Sequence, residues 1–184
     1  EDYAAAQKFP LRGKAYYVPG IGVDVQKIAS VQVDRVAKRK ELGIPEDAFA
    51  FLTVGELIPR KGHELLIRAF AKSNISGVQL LICGSGREKE HLTALIKELG
   101  ISDRAHLLGF RNVFPSKQEG LPVALMEAMA AGLPCIASRI RGNVDLLPDS
   151  RYLFEASDEA ALCQLMCDIV DGVQVRQECT RKKK

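Results

Sequence analysis

Two carboxylates, Glu119 and Glu127, stand on either side of the start of an apolar segment. Glu119 lies in a short glycine-containing stretch, residues 116–121, and Glu127 lies about two turns inside a predicted helix over Pro122–Ala131. A carboxylate in an apolar helix is costly to bury unless it has hydrogen-bond partners, and sugar hydroxyls are suitable partners. An exposed helical glutamate is the alternative. Glycoside hydrolases also use paired carboxylates, but spacing in sequence does not give their separation in space.

The segment between the two carboxylates predicts an anion site. Gly120 and Leu121 lead into Pro122, a residue favoured in the first turn of a helix. The N-terminus of a helix offers unpaired N–H groups and a partial positive charge, which together attract an anion. A diphosphate is the natural occupant of such a site.

A second loop, residues 55–62, adds positive charge after a buried strand predicted at Phe49–Val54. Gly55 opens this loop, and Arg60 and Lys61 lie near its end. A lysine beside a helix N-terminus suits a phosphate, although a solvated basic pair is the alternative. The loop is not a P-loop, because the pattern GxxxxGK[ST] does not occur in the chain.

Glycine loops also follow two further predicted strands, at residues 84–86 and 109–112. Glycine allows a backbone to approach a ligand closely. Ligands of open parallel sheets bind beyond the carboxyl ends of the strands, so these loops converge with the two described above. Tight turns without a ligand are the alternative for any single loop.

Short apolar strands alternate with amphipathic helices along the chain, which predicts a Rossmann-like, doubly wound parallel sheet of the α/β class. Residues 1–24 are less regular and are predicted to form a helix, a short strand at Ala15–Val18 and a turn. The other predicted strands are Phe49–Val54, Val78–Cys83, Ala105–Leu108, Val113–Pro115, Cys135–Ser138 and Tyr152–Phe154, and the other predicted helices are His63–Lys72, Glu88–Leu99, Pro122–Ala131 and Asp158–Val170.

One connection breaks this alternation. Only four residues separate Leu108 from Val113, whereas neighbouring parallel strands need a crossover of roughly a dozen residues or more. Either the two strands form a hairpin, or a helical segment is absent between Asn112 and Val113. The remaining strand signals favour the absent segment.

Composition excludes some classes of protein. The 184 residues have a net charge of +3 and contain no tryptophan and no basic stripe with interleaved aromatics, which argues against nucleic-acid binding. No apolar run has the length of a membrane span, and we expect no signal peptide before residue 1. Five cysteines without CxxC spacing suit a reducing compartment. We therefore expect a cytoplasmic protein, with peripheral contact of the parent with the inner face of the cell membrane left open.

Several segments together resemble the C-terminal, donor-binding domain of a glycosyltransferase of family 4 (group 1), the retaining type with the GT-B architecture. The resemblance covers nearly the whole chain and is most specific at the motif Glu-x7-Glu. The matching segments are 18–24 (VPGIGVD), 54–62, 81–86 (LICGSG), 108–111 (LGFR), 114–122 (FPSKQEGLP) and 127–134 (EAMAAGLP). The family normally has a helix between the last two strands that flank the site, at the place where this chain has its short connection.

The resemblance implies a role for each candidate residue. Glu127 would hold the ribose hydroxyls, and Glu119 would contact the donor sugar near the reacting carbon. Lys61 would neutralise the departing diphosphate, with Arg60 as a further cation. The remaining contacts would come from the base-side residues Gly84 and Arg111 and from the loop residues Gly55, Gly120, Leu121 and Pro122. The family needs no metal or other cofactor, because lysine and the helix N-terminus stabilise the leaving charge.

The chain departs from the family pattern at Glu56, where the family often has an arginine that binds phosphate. Either Glu56 turns away from the donor and Arg60 serves, or donor binding is weakened. The resemblance implies one nucleotide-sugar-binding domain over 1–184, with 1–24 as linker and entry segment and with the acceptor domain absent. The implied donor is a UDP-sugar rather than a GDP- or ADP-sugar, and the implied acceptor is a polysaccharide or glycolipid. An inert nucleotide-binding module and a GT-B nucleotide-sugar epimerase are the alternatives.

Overall fold

A computed structural model describes Lys8, Gly13, Tyr16 and residues 22–109, 123–147 and 149–181. Most of the irregular N-terminal segment, including the strand predicted at Ala15–Val18, lies outside these residues. So do the strand predicted at Val113–Pro115, the loop over 116–121 and the short connection at Asn112–Val113.

The central element is a parallel sheet of three strands in the order β1-β2-β3: Phe49–Val54 (β1), Val78–Cys83 (β2) and Ala105–Gly109 (β3). Phe49 lies opposite Val78, and Leu80 lies opposite Ala105. Two short strands, Ala137–Ser138 (β4) and Leu153–Phe154 (β5), form a second parallel pair. The parallel α/β architecture is therefore confirmed, although β4 begins two residues later than predicted.

Seven α-helices cover the described residues: α1 Val25–Ser30, α2 Arg35–Glu41, α3 His63–Ser73, α4 Lys89–Glu98, α5 Val123–Ala130, α6 Arg141–Leu146 and α7 Glu159–Arg181. Two short 3₁₀ turns lie at Pro59–Lys61 and Ser150–Tyr152. The four helices predicted after residue 60 are present, but α7 continues well beyond its predicted end at Val170. Among the described residues, no helix combines the length and the apolar character that crossing a membrane requires.

The main core lies on one face of the sheet. Helix α3 packs against α7 and α4 there, and Phe70, Ile67, Leu80 and Ile82 are fully buried between them. Met166 of α7 is also buried in this cluster. Burial of this size is the main source of stability in a domain of this kind.

The opposite face of the sheet is only partly covered. Ile44 and Ala48, which precede β1, pack there against Leu81 of β2. Ala50 packs against the same small cluster, and Leu52, which points to the same face because strand side chains alternate, is 56% exposed. Among the described residues, this face is therefore covered less completely than the face with the main core.

Candidate functional site

The carboxyl ends of β1, β2 and β3 lie side by side and are joined by backbone hydrogen bonds beyond the strands. The N–H of Gly55 donates to the Cys83 carbonyl at 3.0 Å, and the N–H of Gly84 donates to the Gly109 carbonyl at 2.9 Å. Farther out, the N–H of Leu57 donates to the Ser85 carbonyl at 2.9 Å. Of the four glycine loops predicted to converge, the loops 55–62 and 84–86 and the start of the third at Gly109 lie together, while 110–112 and 116–121 lie outside the described residues.

The glycines of the second loop have a packing reason. A Cβ atom added at Gly84 would overlap the carbonyl oxygen of Gly55, and one added at Gly86 would overlap the backbone of Leu57. Leu57 is itself 1% exposed, so its backbone cannot yield easily. The close approach of the two loops accounts for these glycines without a ligand, and the role of Gly84 in binding stays a prediction.

Lys61 lies over the end of β1. It closes the 3₁₀ turn, in which its N–H donates to the Ile58 carbonyl at 3.0 Å. Its Cδ atom is 3.9 Å from the position that a Cβ of Gly55 would occupy, so the lysine stem rests against the glycine. Any larger residue at position 55 would meet this stem. A half-buried stem leaves the ammonium group as a point charge beside the strand ends.

His63, the first residue of α3, is a site residue that the sequence analysis missed. Its side chain is 2% exposed, and its Nε2 atom lies 3.1 Å from the Glu56 carbonyl oxygen. Because a carbonyl oxygen only accepts, Nε2 is the protonated nitrogen, and Nδ1 is buried without a hydrogen-bond partner. Burial holds the pKa of His63 below its ordinary value, and the nearby Lys61 ammonium adds to this lowering. The ring is therefore neutral near pH 7.

Glu56 and Arg60 both have exposed side chains. The Glu56 carbonyl points inward, since it accepts from His63 and also from the Ile58 N–H at 3.0 Å. Both arrangements predicted for Glu56 are compatible with an exposed side chain, so its direction relative to the donor stays a prediction. The direct contacts of Arg60 with a donor stay a prediction.

Glu127 is half-buried on α5, a helix of eight residues that contacts α1 and contains no fully buried residue. Within the described ranges, no hydrogen bond or ion pair engages its carboxylate. A helix as apolar as α5 is normally buried, yet Met129 is 39% exposed. The other predicted contacts, Glu119, Arg111, Gly120, Leu121 and Pro122, lie outside the described residues.

A model of the family described as "Glycosyl transferases group 1" matches residues 34–184. The chain belongs to this family. The predicted resemblance to group 1 glycosyltransferases is confirmed by the match, which includes the three-stranded sheet, the Lys61 loop and α5.

The names of two curated relatives specify different sugar donors. The chain is 30% identical over 169 residues to the UDP-Gal:alpha-D-GlcNAc-diphosphoundecaprenol alpha-1,3-galactosyltransferase of Escherichia coli, covering 82% of this chain and 44% of the relative. It is 31% identical over 173 residues to the GDP-mannose-dependent monoacylated alpha-(1-6)-phosphatidylinositol monomannoside mannosyltransferase of Corynebacterium glutamicum, covering 82% of this chain and 45% of the relative. The chain therefore spans less than half the length of these glycosyltransferases.

The same two alignments contain positions that this chain lacks. They extend over 169 and 173 positions, while 82% of 184 residues corresponds to only about 151 residues of this chain. About 18 positions of the first relative and about 22 of the second thus have no counterpart here. In total these positions equal the length of a short helix with its turns, summed over the whole alignment.

A solved structure confirms the fold of this glycosyltransferase domain. The crystal structure of Anabaena Alr3699/HepE in complex with UDP matches with a TM-score of 0.71 at 24% identity, over 82% of this chain and 47% of that chain. At this level of identity the likeness establishes the GT-B fold alone.

The second sheet of this glycosyltransferase domain contributes a further polar residue that sequence reasoning missed. Asn143 of α6 is 8% exposed, and its Nδ2 donates to the Ser138 carbonyl at 2.9 Å, at the carboxyl end of β4. The bond fixes the turn that follows β4. The signal in the sequence is an asparagine a few residues after a predicted strand. Its amide needs hydrogen-bond partners if the fold buries it.

Proposed function

We propose that these 184 residues bind a nucleotide-diphosphate sugar and that the full-length parent transfers the sugar, with retention, to a polysaccharide or glycolipid acceptor. The observation that carries this proposal is the position of Lys61, whose stem rests on Gly55 at the carboxyl edge of a parallel sheet. A cation at that edge faces the region in which open α/β sheets bind phosphates. Membership of the group 1 glycosyltransferases supports the same ligand.

The proposed roles follow the resemblance residue by residue. Lys61 and Arg60 neutralise the diphosphate, and Glu127 binds the ribose hydroxyls. Glu119 contacts the donor sugar near the reacting carbon. The backbone of Gly120 and Leu121, followed by the helix start at Pro122, supplies N–H groups to the phosphates. Arg111 and the loop at Gly84 border the base. In this arrangement no metal ion is required, because fixed positive charges stabilise the leaving group.

UDP is the proposed nucleotide. The name of the Escherichia coli relative specifies a UDP-sugar, and the Anabaena structure contains UDP. The Corynebacterium relative is named for GDP-mannose, so the family allows both bases. A binding comparison of UDP, GDP and ADP on the same chain decides between them.

The chain alone is proposed to bind the donor but to transfer sugar poorly. It spans less than half of its relatives, and in a GT-B enzyme the acceptor site belongs to a second domain across the cleft. The Escherichia coli relative is named for an acceptor attached to diphosphoundecaprenol, a lipid. This supports a cytoplasmic parent that makes peripheral contact with the inner face of the cell membrane.

The test is calorimetric titration of the chain with UDP, GDP and ADP. Lys61→Ala and Glu127→Ala should each weaken binding of the preferred nucleotide by about 1.5–3 kcal/mol, the contribution of hydrogen bonds to a charged group. Lys72→Ala is the matched control, since Lys72 pairs with Glu159 at 3.6 Å between α3 and α7, away from the strand ends. Equal affinities for all four proteins would contradict the proposed site.

An inert nucleotide-binding module is the second candidate, and Glu56 is the residue that favours it. A carboxylate near a diphosphate is repulsive if it faces inward. Hydrolysis of the UDP-sugar by the full-length parent, followed as release of free sugar, separates a transferase from an inert binder. Binding without hydrolysis or transfer by the full-length protein would favour the inert module.

A further inference from the structure

Backbone hydrogen bonds hold the loop after β1 at Gly55 and on both sides of Leu57, whose N–H donates to the Ser85 carbonyl at 2.9 Å. The Gly55 N–H donates to the Cys83 carbonyl at 3.0 Å. Beyond it, the Leu57 carbonyl accepts from the Glu88 N–H at 3.0 Å. Between these anchors lies the peptide that joins Glu56 to Leu57; the Glu56 carbonyl accepts from the Ile58 N–H at 3.0 Å, and the Glu56 side chain is exposed.

The His63 ring occupies the space under this peptide. Its Nε2 lies 3.1 Å from the Glu56 carbonyl oxygen and 3.8 Å from the position that a Cβ of Gly55 would occupy. The Lys61 stem approaches the same point to 3.9 Å, so lysine and histidine both contact Gly55. Gly62, with a φ of 68°, turns the chain between them and lets residues 61 and 63 face the same glycine.

We propose that His63 is a positioning residue of the donor site: its Nε2–H holds the Glu56 carbonyl inward, so that the Glu56 carboxylate faces solvent and the Lys61 side chain stays against Gly55. The effect on donor binding rests on the proposed function. The hydrogen bond between His63 and Glu56 belongs to the folded chain and does not depend on any ligand. It accounts for how a group 1 glycosyltransferase can have a carboxylate at position 56 beside a diphosphate.

Packing alone does not explain an imidazole at this place. The ring is 2% exposed and its Nδ1 has no partner, and an unpaired buried nitrogen is destabilising. An apolar side chain of similar volume would fill the space without this penalty. The hydrogen bond from Nε2 is the interaction that only a donor at position 63 supplies.

The first test compares His63→Leu, which removes the donor and keeps apolar volume, with His63→Gln, whose amide N–H reaches nearly the position of Nε2. We expect His63→Leu to weaken UDP binding about tenfold and His63→Gln to bind within about threefold of the unsubstituted chain. His106→Leu is the matched control, because His106 bonds Gln79 at 2.8 Å at the opposite end of the sheet. Equal UDP affinity of the leucine and glutamine variants would overturn the proposal.

A double-mutant cycle identifies the cause. If His63 acts by keeping the Glu56 carboxylate away from the phosphates, Glu56→Ala should restore most of the affinity that His63→Leu loses. Additive losses in the double variant would show that Glu56 is not the group being held, and would refute this part of the mechanism.

A measurement without nucleotide separates this inference from the proposed function. Amide hydrogen exchange of residues 56–62, followed by NMR, should become about tenfold faster in His63→Leu than in the unsubstituted chain, while His106→Leu leaves it unchanged. Unchanged exchange in His63→Leu would overturn the positioning role whatever the chain binds. Faster exchange in a chain that binds no nucleotide would instead refute the proposed function and leave the loop contact standing.

Discussion

Gly84 makes the closest backbone approach in the site, since a Cβ there would overlap the Gly55 carbonyl oxygen. Its place at a strand end was predictable from the sequence, and its contact with a ligand stays a prediction. The structure supplies a simpler cause, because the loops after β1 and β2 pack backbone to backbone. Contacts of this kind join residues far apart in sequence, so no local pattern predicts them.

Gly84→Ala should therefore lower the stability of the fold, whether or not a ligand binds at this loop. We expect a loss of about 1–3 kcal/mol in the free energy of unfolding, the usual result of overpacking a rigid contact. Gly172→Ala is the control, because Gly172 lies in α7 with no atom within 4 Å of the added Cβ. Helix propensity predicts that the control gains up to about 1 kcal/mol. Urea denaturation of the two variants measures both effects, and equal midpoints would contradict the contact.

His63 also predicts how stability depends on pH. Burial lowers its pKa from the ordinary value of 6.5; the bond to the Glu56 carbonyl opposes this, the Lys61 charge adds to it and the Glu88 carboxylate opposes it. The folded chain therefore binds fewer protons at this site than the unfolded chain. The resulting stability is fully present above pH 6.5 and is lost as pH falls from 6.5 toward the lower folded pKa.

The free energy of unfolding should consequently fall on acidification below pH 6.5, by up to about 1.4 kcal/mol per pH unit from this residue. His63→Leu should show a smaller fall over the same range, because leucine does not titrate. Chemical denaturation of both proteins between pH 7.5 and pH 5 provides the comparison. Parallel pH profiles would show that the His63 ring is not held neutral by burial.

At the scale of elements, the sequence predicted the strands and helices that have a strong apolar periodicity or a clear terminating residue such as glycine. Strands β1 and β2 have the predicted bounds, and α4 ends before Gly100, which adopts a φ of 65°. Helices α1 and α2 were missed because neither contains a buried residue, so no apolar stripe marks them. Their signal is the N-cap instead: Asp24 accepts from the Lys27 N–H at 2.9 Å, and Asp34 accepts from the Ala37 N–H at 3.0 Å.

The candidate site divides in the same way between predictable and unpredictable residues. Lys61 and Glu127 could be selected from residue type and from their place after a strand or within a helix. His63 could not, since a histidine at the start of a helix is ordinary and only its burial beneath Glu56 makes it relevant. That burial depends on the tertiary approach of α3 to the end of β1.

At the scale of the whole molecule, a helical segment absent between Asn112 and Val113, as predicted from the sequence, would account for the partly covered face of the sheet. Helices α3 and α4 connect β1, β2 and β3 and pack on one face of the sheet. If the chain crosses back from β3 to a parallel strand on the far side of β1, the right-handed crossover rule would place the connecting helix on the other face. That is the face of Ala50 and Leu52, where Leu52 is 56% exposed. The relatives have about 18 and about 22 positions without counterpart in this chain, enough for such a helix.

Insertion of an amphipathic helical segment of about 18 residues between Asn112 and Val113 should therefore stabilise the chain. Covering a half-exposed leucine contributes about 1 kcal/mol, which raises the Tm by about 2–4 °C in a domain of this size. A glycine-serine segment of equal length is the matched control, because it lengthens the connection without an apolar face. Leu52→Ser in the helical insertion should remove much of the gain. If the Tm of the helical insertion is no higher than that of the glycine-serine control, no crossover helix packs on this face of the sheet.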